Sequence, residues 1–218
     1  MKAKFTFIAA SFAMLLSSCA VAPNKTELFN GRDLNNWVFV LENGSVRTVD
    51  VYKINKEGNI LIEGKPFGYM RTEQKYGDYK LHVEWRWVGE GSNSGIFQRV
   101  QDPDNVWPEA IEYPLCSGKA GDYVMLGGAK ISEVECVGDF PVKERSADAE
   151  NPVGEWNTAE IICQGKTITS YVNGKLLNKC TGEHTDGYIA LQSEGGPIEF
   201  RNIYITEVEK SVVYIKLL

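Results

Sequence analysis

From Tyr79 to Trp87 the side chains alternate without a break. Tyr79, Leu81, Val83, Trp85 and Trp87 fall on one side, and Lys80, His82, Glu84 and Arg86 on the other. A period of two, in aromatic and β-branched residues, specifies a strand with one face in a core. A chain carrying such a strand must supply a second apolar layer to cover that face. The polar side sets an imidazole, a carboxylate and a guanidinium at every second residue, so three chemically useful groups share one sheet surface. Gly89 to Gly95 reads as a turn and Ile96 to Val100 as the returning strand, which carries Arg99. This predicts a hairpin that floors a site.

The rest of the chain fits a β-rich domain. Short strands are predicted at 38–40, 46–54, 59–63, 110–115, 123–126, 130–137, 156–163, 166–172, 175–179, 187–192 and 198–205, with 68–72 leading into a turn at 76–78 and a charged surface loop over 140–153. Asn173-Gly174 is a strong two-residue hairpin signal. No window in the first hundred mature residues has a helical period. Many short strands with almost no helix imply an all-β sandwich or jelly roll. At 218 residues the chain can bury a sizeable core, and one domain is expected.

The first residues have the form of a targeting signal. Lys2 and Lys4 precede an apolar run from Phe5 to Leu16, too short to span a bilayer. Leu16-Ser17-Ser18-Cys19 is similar to a bacterial lipobox, so 1–18 is expected to be a signal peptide, Cys19 a lipidated residue and 19–26 a tether. Acyl chains on Cys19 would be the link to the membrane, in the cell envelope. The formal charge of −6 becomes two units more negative once the leader is removed, which argues against nucleic acid and suits a carbohydrate ligand. Cys116, Cys136, Cys163 and Cys180 remain; their spacing fits no zinc pattern. A Cys163–Cys180 disulfide is one possible pairing.

Several blocks then bear on family. ELFNGRDLNNW (27–37), GYMRTEQKYGDYKLHVEWRW (68–87), NSGIFQR (93–99), WPEAIE (107–112), AGD (120–122), GEWN (154–157), VNGK (172–175) and GYIALQSEGGPIEFRNIYI (187–205) stand in order over most of the chain. Together they resemble the 3-keto-disaccharide hydrolase domain. The resemblance implies a concanavalin A-like jelly roll of two antiparallel sheets over 27–206, with 207–218 as a C-terminal tail. It also implies a concave carbohydrate-binding face, export as a lipoprotein and action on glycosides oxidised at C3. One departure is that Tyr113-Pro114 stands where the pattern has a residue followed by Gln, which removes a polar side chain from the face of Glu112.

On a 3-keto-glycoside, a base could remove the acidified C2 proton, the aglycone could leave from C1, and water could add back. Glu84 or Glu112 is the expected base, with His82, Arg86 or Arg99 stabilising the enolate. Arg71, Asn93, Asp122 and Glu194 are candidate sugar contacts, and Trp107 and Tyr113 candidate stacking platforms. A cofactor is not expected, although His82, Glu84 and Glu112 could together hold a divalent metal. Plainer roles compete: Glu84–Arg86 and Glu199–Arg201 as surface ion pairs, Asn93-Ser94-Gly95 as turn chemistry, Asp122 as a loop cap. The alternative function is a carbohydrate-binding lipoprotein without catalysis. A conventional retaining glucanase is disfavoured, because no Glu-x-Asp-x-x-Glu run occurs.

Overall fold

The computed structural model describes residues 24–208; the signal peptide, Cys19 and most of the tail lie outside the described residues. Two antiparallel sheets pack face to face. The first runs in the order β13 (Lys175–Thr181), β12 (Thr167–Val172), β11 (Asn157–Gln164), β6 (Tyr79–Trp87), β15 (Ile198–Thr206), β4 (Ile60–Ile62) and β3 (Tyr52–Ile54), with β1 (Lys25–Glu27) also on β15. The second runs β10 (Val142–Lys143), β9 (Tyr123–Leu126), β8 (Ala110–Pro114), β7 (Gly95–Val100), β14 (Tyr188–Ser193), β5 (Gly68–Thr72) and β2 (Trp37–Leu41). This is the expected jelly-roll sandwich.

Alternation places the core. Leu81, Val83 and Trp85 of β6 point inward and join Ile96, Ile111, Tyr113, Tyr123, Met125, Ile189 and Leu191 of the facing sheet in one buried cluster. Burial of this apolar area, about 25 cal/mol per Å², drives the two layers together. A second, smaller cluster lies on the outer face of the second sheet, where Tyr69, Phe97, Val100, Ala110, Leu126 and Ala190 are buried. Something must cover a sheet face that is apolar on both sides. Here it is the connection 101–109 between β7 and β8, which ties Asp104 to Tyr69 and Arg71 of β5.

The expected central hairpin does not form. β6 and β7 join different sheets: β6 lies between β11 and β15, and β7 between β14 and β8. Residues 88–94 are a crossover from one layer to the other. Alternation says which side chains share a face, but it cannot say which neighbour a strand chooses. Two smaller strand expectations also differ. Thr48–Val51 is a single helical turn before β3, and 130–137 contributes only an isolated bridge from Ile131 to Gly182. The Asn173-Gly174 turn is as expected, with both residues at positive φ (48° and 78°).

Candidate active site

The outer face of the second sheet carries a cleft of about 650 Å³. At its base is Glu112 on β8, set between Phe97 of β7 and Val124 of β9 by the strand registers. Gly95 makes room for the carboxyl: a Cβ there would collide with Glu112 Oε1 and lie 3.0 Å from Gln192 Oε1. Glu112 is 5% exposed. Burial, helped by the nearby charge of Glu194, pushes its carboxyl up to about 8.

Glu194 follows β14 and lines the same cleft. Burial raises its pKa as well, but side-chain hydrogen bonds from Asn93 and Gln192 favour the ionised form and oppose the rise. The Gln192 amide donates to Glu194 Oε2 at 2.7 Å, while its own Oε1 is buried without a partner. Charged groups of both signs, Lys119, Asp122, Glu144 and Arg145, line the same cleft, with Arg145 paired to Asp122 and Asp148. Arg145 donates from its backbone N–H and Nη1 to Asp122 Oδ1 at 2.8 and 3.1 Å, and Lys119 lines the cleft beside them. The Trp107 ring, 36% exposed, is held between Phe67 (5.8 Å) and Phe140 (5.6 Å) at the rim. Two carboxyls held differently, amides, cations and an aromatic plate thus face one space, as acid–base chemistry on a sugar would require.

The structure brings Asn93, Trp107, Glu112, Asp122 and Glu194 together in this cleft. It does not bring the others there. His82, Glu84 and Arg86 stand on the outer face of the first sheet, on the opposite surface of the sandwich from Glu112. There Glu84 accepts from Arg201 Nε and Asn202 Nδ2 at 2.7 and 2.6 Å, and Arg86 donates to Glu199 at 2.7 Å. The register Glu199↔Arg86 and Arg201↔Glu84 makes these cross-strand pairs, in place of the expected pairings within each strand. Although burial opposes it, the Asn202, Arg201 and His82 contacts hold Glu84 below its ordinary range. His82 stacks on Tyr204 at 4.7 Å. The proposed His82, Glu84 and Glu112 metal set therefore cannot converge on one ion.

Arg99 is also removed from the cleft. A bulge where β7 meets β14 puts it at φ +59°, and its guanidinium donates to the carbonyls of Tyr76, Gly77 and Gly165 at 2.7–2.9 Å. It braces loops at one end of the sandwich. Tyr113, next to Glu112, necessarily points the other way; it is fully buried in the core and donates to Tyr171 O at 3.3 Å. Arg71 shares the outer sheet face with the cleft but does not line it, and it is committed to a two-bond pair with Asp104 at 2.7 Å. Pro114, at the position of the departure from the family pattern, lines the cleft on the same face as Glu112.

Lys119, Arg145 and Phe140 escaped the sequence reading. They lie in or beside loops whose approach to β8 is set by tertiary packing. Alternation puts Gln192 on one face with Glu194, although no role at the site is read for it from the sequence. The four cysteines among the described residues are all free. The suggested Cys163–Cys180 bond is blocked, because Ile168 of β12 lies between them in register.

Comparison with known proteins follows this architecture. The model of a family described as the 3-keto-alpha-glucoside-1,2-lyase-like domain matches residues 24–206. A 3-keto-disaccharide hydrolase of Bacteroides thetaiotaomicron is 24% identical, with 82% of this chain and 76% of that protein covered. A Parabacteroides distasonis protein, described only provisionally as a glycosyl hydrolase, superposes with a TM-score of 0.64 at 21% identity, covering 85% of this chain and 94% of that one. The β-glucanase of Bacillus licheniformis shares the fold at a TM-score of 0.55 and 13% identity, over 87% and 99% of the two chains.

Proposed function

Because the chain belongs to the 3-keto-alpha-glucoside-1,2-lyase-like domain family, we propose that it is an enzyme cleaving 3-keto-glycosides in the cleft around Glu112 and Glu194. The observation that carries this reading is the pair of carboxyls: they face one sugar-sized space and are held by different surroundings. Glu112 keeps its proton near neutral pH because it is desolvated. Glu194, with two amides on it, is the better anion.

The chemistry follows. A C3 ketone acidifies the C2 proton, which Glu194 removes. The electron pair passes to an enolate, whose oxygen Lys119 stabilises. The enolate collapses to form the C1–C2 double bond and breaks the C1–O bond, and Glu112 gives its proton to the departing oxygen. Water adding across the double bond returns a proton to C2 and puts a hydroxyl on C1, so the net outcome is hydrolysis. Asn93 holds the sugar, and Trp107 stands at the rim of the cleft. Export and lipidation at Cys19, in the cell envelope, belong to the same proposal and rest on the sequence of the first residues.

The test is aglycone release from a 3-keto-glucoside and 3-keto-trehalose by the purified domain, with and without EDTA. Glu112→Gln and Glu194→Gln should each lower kcat by about 100-fold or more. Full turnover in both variants removes these carboxyls from the mechanism. Saturable binding without any cleavage would instead favour a carbohydrate-binding protein.

A further inference from the structure

The cleft is divided along the strand axis, and the strand registers show how. Ala110 pairs with Leu126, Glu112 with Val124, and Val124 with Val142. Phe140 lies two residues before Val142 and is thereby carried towards the Leu126 end, where its ring meets Trp107 at 5.6 Å. In the other direction from Glu112 come Asp122, Arg145, Lys119, Asn93 and Glu194. One half of the cleft is therefore apolar, the other is charged, and Glu112 stands at the boundary. The apolar half offers no side-chain hydrogen-bonding group beyond the Trp107 indole N–H.

We propose that the sugar lies in the charged half and that the apolar half receives an aromatic or other apolar aglycone, in preference to a second sugar. This rests on the glycoside-cleaving reading above and narrows its substrate class. A second sugar would bring several hydroxyls against Leu126, Val124, Val142 and Phe140. Hydroxyls desolvated without partners are penalised, and an apolar ring is not. The boundary position of Glu112 places its proton where the bridging oxygen would lie between the two halves.

The experiment compares benzyl 3-keto-glucoside with 3-keto-disaccharides linked through an ordinary alcohol, in both anomeric forms, so that the leaving groups have similar acidity. The benzyl substrate should have a KM lower by at least about tenfold. Trp107→Ala and Phe140→Asn should each raise KM for the benzyl substrate by more than they raise KM for methyl 3-keto-glucoside, and so erode that preference. An equal or lower KM for the disaccharides overturns this inference and leaves the parent reading standing. Cleavage of none of the substrates overturns both.

Discussion

Glu112 is costly where it stands. Its folded-state pKa of about 8 lies above the ordinary 4.5, so the folded protein binds more protons than the unfolded chain between these values. Its contribution is fully retained below about pH 4.5 and is lost as pH rises towards 8. At its steepest the loss approaches about 1.4 kcal/mol per pH unit. Thermal unfolding should accordingly show Tm falling between pH 5 and 8 in the wild type. The fall should be shallower in Glu112→Gln, with the variant the more stable protein above pH 8; parallel curves would contradict the burial argument. Catalysis should obey the same proton, with kcat declining above about pH 8 as the acid is lost. Gly95 acts through this residue. Gly95→Ala pushes on the Glu112 carboxyl, and a shift of about 1 Å should lower kcat on the order of 100-fold with circular dichroism unchanged. The WPEAIE block marked Glu112 in the sequence. Its raised pKa was not legible there, because desolvation comes from Phe97, Val124 and the loops above them.

The 101–109 connection supplies the aromatic rim of the cleft through Trp107. It is latched at two points: Asp104 onto Arg71 and Tyr69, and Asp102 onto Lys75 (2.9 Å) and Tyr188 (3.3 Å). Asn105 Oδ1 then accepts from the Trp107 backbone N–H at 2.9 Å and starts the turn that presents the indole. Arg71 thus serves as the anchor of the loop that carries a substrate contact. Asp104→Asn weakens the bond to a nearly buried guanidinium, at a cost of about 1–3 kcal/mol. The expected result is a raised KM with a smaller change in kcat, and a lower Tm. An unchanged KM would mean that Trp107 is held by Phe67 and Phe140 alone. Asp102-Pro103-Asp104 is a turn signal legible in the sequence, but the loop's partners on β5, some 30 residues away, were not.

At the scale of the whole molecule, two sheets stand back to back, so the polar groups of their outer faces lie on opposite surfaces. On the first sheet's outer face these charges pair with one another: Glu84 with Arg201, Arg86 with Glu199, and both guanidinium groups against Trp156 at 4.6 and 3.9 Å. His82→Ala with Glu84→Gln should therefore leave kcat and KM within about twofold and lower stability by about 1 kcal/mol, the usual scale for ion pairs near a surface. A large loss of activity would return the site to that face. The sequence by itself determined most of the strands, the all-β class, the inward row of Tyr79 to Trp87 and the carboxyl of Glu112, because these depend on local alternation and short blocks. Only the tertiary structure decided that β6 and β7 part company, so that HVEWR and WPEAIE face opposite ways. The reason is physical: a strand's two edges bond equally well to any partner, and the choice falls to the packing of side chains far apart in the chain.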